Sequence, residues 1–429
     1  MRLLPEARVP GRRGAGDPTP RPPALPAARA RRASRGSAVC LVAGAFAVLG
    51  CGRAAPPPAP VPPSSEAPPA PALPAEVIGE LQSRIAARLY PGVMLGRIER
   101  GERSYYAFGS IVPSSPVPPD EHTVYEIGSL TEVFTSLLLA DMAQKGEAEL
   151  EAPASNYLPA GLSLPSYEGK PITLASLAAH TSGLPRLPDN IAPLDPKNPY
   201  ADYGDDRLFD FLASYALTRA PGQRFEASLL GTALLGHVIE SIGHFAYEDL
   251  FVTRVAGVLH LDETRITLSP SLRSRLAPGS RAGVETGNWE MPAFAGAGAL
   301  RSTVNDLVTF LGVATGIGQT PLTAPLEVMA QPRAAVGPAL QIGLAWRILA
   351  APHGEVVWHA GGTGGYHAFM GFSRTGGVGV VLLTNSAASL DDIGLHLLDA
   401  GLPLGAAPAE GSTTPTLSSA ARPERLPHS

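Results

Sequence analysis

Apolar residues recur at Leu130, Val133, Phe134, Leu137, Leu138 and Met142, the one-face spacing of a helix. Leu139, Ala140 and Ala143 fill much of the opposite side, so the pattern predicts a helix buried on most faces. It follows a turn or strand end, Tyr125-Glu126-Ile127-Gly128, and carries Ser129 in its first turn. Upstream, Val77, Ile78, Leu81, Ile85 and Leu89 predict an amphipathic helix over 75–90. Residues 93–98 and 104–109 read as two strands joined by the polar turn around Gly101. Downstream, a short helix over 172–179 is stopped by Gly183 and Pro185, and an apolar helix over 234–242 ends at Gly243. Arg301 to Leu307 reads as a capped helix start. Strand signals return at 342–348, 355–358, 366–372 and 378–383, separated by glycine turns, and a last helix covers 391–398.

That order describes one α/β (α+β) domain over 76–402. Early and late strands form an antiparallel sheet flanked by helices, and residues 150 to about 300 form an all-helical lobe. The groove between sheet and lobe is the natural ligand site. Residues 52–74 are rich in Pro, Ala and Ser and read as a semi-extended tether, and 403–429 as a disordered tail. Residues 1–35 hold nine arginines against two acids, and Gly36 to Leu49 form an apolar run too short to span a bilayer. This suits a signal peptide over 1–50. The ending Val48-Leu49-Gly50-Cys51 resembles a bacterial lipobox, which implies cleavage before Cys51, lipidation of that cysteine, and a linker over 51–75. An ordinary signal peptide with an incidental cysteine is the alternative.

Composition narrows the chemistry. The only other cysteine is Cys40, so the processed chain has neither disulfide nor cysteine nucleophile. Residues 1–50 carry nine arginines and two acids, +7, so their removal takes the net charge from −5 to −12. An acidic exported product without a basic patch excludes nucleic-acid binding. No cofactor motif is present. Lysine is confined to Lys145, Lys170 and Lys197.

A serine at the head of a buried helix is either an N-cap or a nucleophile favoured by the helix dipole. Other strings bear on the choice: Glu126-Ile127-Gly128-Ser129-Leu130-Thr131, His180-Thr181-Ser182-Gly183-Leu184-Pro185, and Pro221-Gly222 before Leu234-Leu235-Gly236. Gly298-Ala299-Leu300-Arg301-Ser302-Thr303 and His359-Ala360-Gly361-Gly362-Thr363-Gly364-Gly365-Tyr366 follow. In this order and spacing the chain resembles the serine β-lactamase and penicillin-binding-protein superfamily, on its class C, D-Ala-D-Ala carboxypeptidase and esterase side. The resemblance implies the β-lactamase/transpeptidase-like fold and three boxes around the groove. In the first, Ser-x-x-Lys, the serine attacks a carbonyl and the lysine one turn on helps remove its proton. Ser129 stands at the nucleophile position, but the lysine position holds Glu132. The second box, Tyr-x-Asn, falls on Ala227-Ser228-Leu229 and lacks both functional residues. The third, Lys/His-Ser/Thr-Gly, falls on His359-Ala360-Gly361, where Ala360 lacks the hydroxyl. By the same resemblance the N–H groups of Ser129 and Gly362 form the oxyanion hole.

An ionised Glu132 opposes a serine that must become negative, on the order of 4 kcal/mol at about 4 Å and an effective dielectric near 20. A protonated one cannot accept the serine's proton. The carboxylate of a β-lactam or D-Ala-D-Ala peptide would also be repelled. Ser-x-x-Glu is itself a capping box, in which Ser129 bonds the N–H of residue 132 and Glu132 reaches back to that of residue 129. The expectation is therefore an exported, membrane-anchored lipoprotein of the cell envelope (periplasmic or outer-membrane face) with an impaired hydrolase site. Its groove would retain a small-molecule or peptide ligand of cell-wall, ester or β-lactam type. The alternative is an active serine hydrolase with Ser129 as nucleophile and His359 as base, oriented by Glu132 as in a Ser-His-Asp triad.

Overall fold

The computed structural model describes residues 72–112 and 116–405. All lie in the compact unit Ala67–Ser429. The expected signal peptide, Cys51, most of the linker and the tail from residue 406 lie outside the described residues.

Period-two alternation of apolar residues on both faces dictates a sheet covered on both sides. Eight strands run in the order Glu102–Gly109, Gly92–Glu99, Val378–Thr384, His367–Ser373, Gly354–Gly362, Arg347–Ala351, Leu340–Ile342 and Ala334–Gly337, all antiparallel. The early pair joins the late strands through Gly92–Glu99 and Val378–Thr384, with Val93 opposite Thr384 and Glu99 opposite Val378. Val93, Leu95, Val356, Trp358, Ala360, Phe369, Val380 and Leu382 pack on one face with the helices Ala75–Ala86 and Asp391–Leu398. Met94, Ile98, Val357, Ala368, Met370, Val381 and Leu383 face the other way, into the core shared with the Ser129 helix, Leu130–Gln144. That helix is buried nearly all round, as its pattern predicts.

Several boundaries differ from expectation for local reasons. The strand expected over 342–348 is two short strands, broken where Ala345 takes a left-handed φ of 61°. The helix expected to begin at Leu234 begins at Leu229, because Ser228 is extended and its Oγ accepts from Gly231 N at 2.9 Å. It runs through Gly243, and His244 rather than Gly243 takes the left-handed position, at φ 58°. Arg301–Ser302 is not the start of a helix but a short strand paired with Tyr125–Glu126. The helix after it, Val304–Ala314, is capped by Thr303, whose Oγ1 accepts from Asp306 N at 3.3 Å.

Two backbone segments meet where the sheet faces the Ser129 helix. An ideal Cβ on Gly361 would lie 2.2 Å from Ile127 O and 2.6 Å from both Ser129 N and Leu130 N. One on Gly128, itself at φ 49°, would lie 2.6 Å from Gly362 N. Glycine is required on both sides for the strand to lie against the turn. Gly361→Ala should therefore lower stability by roughly 1–3 kcal/mol, the usual range for overpacking. The check is a fall in the urea midpoint at unchanged slope.

Candidate functional site

The head of the Ser129 helix is closed by backbone bonds alone. Leu130 N donates to Ile127 O at 3.1 Å, Thr131 N to Gly128 O at 2.9 Å and Glu132 N to Ser129 O at 2.9 Å. Ser129 already has helical angles (φ −61°, ψ −8°) and its side chain caps nothing. The expected capping box is therefore not formed. These three-residue bonds satisfy the first-turn N–H groups without it, which leaves the half-buried Ser129 hydroxyl to the groove.

Glu132 turns away from the helix terminus. Its carboxylate is buried, and Oε2 accepts from His180 Nε2 at 2.8 Å. His180 sits just past the short helix Leu174–Ala178 at a left-handed φ of 53°. Its Nδ1 accepts the N–H of Ser228 at 3.2 Å, which fixes the tautomer: the ring proton is on Nε2 and points at Glu132. The two loop segments of this junction are further tied by Gly222 N to Thr181 O and Glu226 N to His180 O, both at 2.8 Å. Burial pushes the Glu132 carboxyl up, but its close pairing with His180, with the Arg186 charge as a weaker contribution, outweighs burial and holds the carboxyl below the ordinary carboxylate range.

His359 lies on the sheet face toward the Ser129 helix, buried, with Nδ1 donating to Ala345 O at 2.7 Å. The left-handed turn at Ala345 aims that carbonyl, and its own N–H is held by Ala178 O at 2.8 Å. His359 Nε2 is 3.7 Å from Glu132 Oε2, beyond hydrogen-bonding distance. Burial pushes its pKa down to about 4, with the Glu132 charge opposing and Arg347 reinforcing the shift, so the ring is neutral at pH 7. No hydrogen bond joins Ser129 and His359. The triad arrangement, in which Nδ1 meets the carboxylate and Nε2 the serine, is not present: Nδ1 serves a backbone carbonyl, and Nε2 lies toward Glu132.

The second-box positions contribute no side chain to the chemistry. Ala227 is half-buried and Leu229 is turned into the core. Ser228 between them caps its helix, and its Oγ donates to Pro185 O at 2.6 Å. In the third box Ala360 packs with the outer-face cluster, so the hydroxyl missing there is not missing from the groove. Gly361 and Gly362 lie against Ser129 and Gly128, as described above. Glu126 braces the turn from below, its Oε1 accepting from Trp289 N at 2.9 Å and from an Arg301 guanidinium nitrogen at 3.3 Å. Among the described residues no group of His, Cys, Asp and Glu is arranged to hold a metal ion.

Of the residues expected at the site, Glu132 lies 3.7 Å from His359 and Gly361 lies against the backbone of Ser129, whereas His180, the partner of Glu132, was not among them. The signal available was the glutamate itself, since a carboxylate inside an apolar helix pattern needs a buried donor.

A family model described as Beta-lactamase matches residues 80–400. The Escherichia coli K12 D-alanyl-D-alanine-carboxypeptidase/endopeptidase AmpH is 28% identical over 310 residues, 69% of this chain and 80% of that protein. Among solved structures, a β-lactamase/D-alanine carboxypeptidase from Yersinia pestis complexed with citrate superimposes with a TM-score of 0.64 at 23% identity, covering 73% of this chain and 92% of its own. A class C β-lactamase from Rhodobacter sphaeroides gives 0.65 at 22%, covering 75% and 97%. At these identities the structural likeness shows the fold.

The buried histidine makes stability pH-dependent. His359 has a folded pKa near 4 against about 6.5 unfolded, so between these values the unfolded chain binds the extra proton. The contribution is complete above pH of about 6.5 and is lost as pH falls toward 4. In urea unfolding from pH 7 to 4, His359→Gln should show a shallower loss of stability than the unmodified protein. Equal slopes would contradict the assignment.

Proposed function

The chain belongs to the β-lactamase family, and from that premise we propose that its groove binds ligand while its serine-hydrolase chemistry is lost or very weak. We place the protein in the cell envelope as an exported lipoprotein, on the support of the basic and apolar N-terminal run ending Val48-Leu49-Gly50-Cys51 and the Pro/Ala-rich linker after it. The ligand class is a cell-wall peptide, ester or β-lactam-type compound. The similarity to a D-alanyl-D-alanine carboxypeptidase/endopeptidase supports it.

One observation carries the loss of chemistry. Where the family places a lysine one turn after the nucleophile, this chain holds an ionised glutamate engaged by His180. Acyl transfer needs the Ser129 proton removed as Oγ attacks, and a base matched to that task. Glu132 is a poor one: its proton affinity is depressed, and its charge opposes both the developing alkoxide and the oxyanion. The phenol of the second box is replaced by Ala227. His359 as the remaining base has a pKa near 4, and its Nδ1 is committed to Ala345 O. What persists is a half-buried serine at a helix head beside a glycine strand, a surface suited to holding a carbonyl compound.

The purified protein should form no covalent adduct with labelled penicillin and should hydrolyse neither nitrocefin nor p-nitrophenyl esters above the level of its Ser129→Ala variant. A muropeptide should nevertheless raise its melting temperature. Turnover abolished by Ser129→Ala would overturn the loss of chemistry. If His359→Ala abolished it too, with an inflection near neutral pH, the protein would be a working hydrolase with His359 as base.

A further inference from the structure

We propose that Arg281 is an anion-recognising residue of the groove: it holds a carboxylate carried on the amino-terminal arm of a peptide-like ligand whose carbonyl lies at Ser129. The inference rests on reading the groove as a binding site, and it names the feature which that site prefers.

The open edge of the third-box strand sets the direction of such a ligand. Pairing with Arg347–Ala351 ends at Trp358, so from His359 to Gly362 the strand has a strand neighbour on one side only. Every pairing in this sheet is antiparallel. A peptide laid on the open edge in the same sense points its amino-terminal arm past Gly362 toward Gly364. Gly361 is the residue that lies against the backbone of Ser129, and Gly364 follows three residues on, at most roughly 11 Å away. The turn there is closed by Thr363 N donating to Tyr366 O at 3.0 Å. Gly364 also presses on the Trp289 indole, where an ideal Cβ would lie 2.8 Å from Nε1.

Arg281 meets this turn from the short hairpin Ser280–Arg281/Val284–Glu285. The hairpin is anchored by Ser280, whose N–H is shared between Gly365 O and Asn385 O, both at 3.0 Å. Arg281 Nε donates to Gly364 O at 3.2 Å, which holds the guanidinium beside the turn. Among the described residues its two terminal nitrogens have no hydrogen-bond partner and form no ion pair. Glu285 does not offset the charge: it is opposite Ser280 while Arg281 is opposite Val284, so the two side chains leave opposite faces of the hairpin. Glu126 is bound to Arg301, and Glu290 is exposed, its N–H on Asn198 Oδ1. Lys197, its backbone beside Gly287, is a second cation at this end, but it is an exposed point charge without the planar fork of an arginine. Arg186 acts on Glu132, which lies at the His359 end of the strand. A half-buried guanidinium held by Nε, with both terminal nitrogens left over, matches a carboxylate, which takes the two donors in parallel.

The test compares N-succinyl-D-alanyl-D-alanine amide with N-butyryl-D-alanyl-D-alanine amide, titrated calorimetrically into the full-length protein at pH 7 and low salt. The two differ by one carboxylate, placed roughly 7 Å along the amino-terminal arm from the carbonyl that meets Ser129. The succinyl compound should bind at least about tenfold more tightly, a difference of roughly 1.4 kcal/mol. That advantage runs against the protein's net charge of −5, so it reports a local cation. Arg281→Gln, checked for an unchanged circular dichroism spectrum, should reduce the ratio to below about threefold by weakening the succinyl compound, and Lys197→Gln should reduce it less. The ratio in the unmodified protein should also shrink as salt is raised, and that measurement needs no variant. Equal affinities in the unmodified protein would overturn the proposal while leaving the binding groove intact. So would a ratio carried by Lys197 rather than Arg281, or a loss that Arg281→Gln imposes equally on both compounds. If neither compound binds, the binding groove falls, and this role of Arg281 with it.

Discussion

A carboxylate buried inside an apolar helix must be met by donors, and the arrangement of this site follows from the donor that meets Glu132. Desolvating a charge of that size costs several kcal/mol, which is recovered only with good hydrogen-bond geometry. His180 provides that geometry because both of its nitrogens are committed. The Ser228 N–H takes Nδ1, and the proton that remains is directed at Glu132. The bond crosses from the central helix to the helical lobe, so the carboxylate that cannot serve as base instead joins the two halves that form the groove.

The second constraint is steric. The strand Gly354–Gly362 approaches the Ile127–Leu130 turn so closely that neither side tolerates a Cβ at Gly361 or Gly128. This approach fixes which sheet face His359 occupies, and the left-handed turn at Ala345 then aims a carbonyl at its Nδ1. The histidine is thereby buried, neutral and restrained. A nearby carboxylate alone would have raised its pKa, but burial outweighs that field. Proximity to Glu132 therefore does not turn the histidine into a base for Ser129.

Most of the architecture was legible in the sequence because it rests on periodicity. The buried Ser129 helix, the two early strands, the late strands and the final helix Asp391–Leu398 all carry patterns that tertiary packing reinforces. What the pattern could not reveal depends on backbone geometry at single residues. The break at Ala345 and the start of a helix at Leu229 instead of Leu234 are examples. At the site, the residue types at 129, 132, 227 and 359 were legible, and their partners were not. Ser-x-x-Glu reads as a capping box at the level of spacing, yet the first-turn N–H groups found backbone acceptors, which released Glu132 for a partner 48 residues away. Nothing local in a sequence distinguishes these outcomes except the cost of leaving that carboxylate unpaired.

The departures from the family's three boxes are not equivalent. Ala360 points into the outer-face core, so its missing hydroxyl takes nothing from the groove, and the third box keeps its close glycine contact. The first and second boxes are changed together, and His180 connects them. Its proton is fixed on Nε2 by the backbone of the second box and delivered to the carboxylate of the first. A lysine at 132 would meet the same Nε2–H, donor against donor, unless the ring changed tautomer and surrendered the Ser228 N–H. The present glutamate and the present loop geometry thus support each other. A single substitution at 132 changes charge and hydrogen bonding at the lobe junction as well as at Ser129, so the altered boxes form one coupled unit.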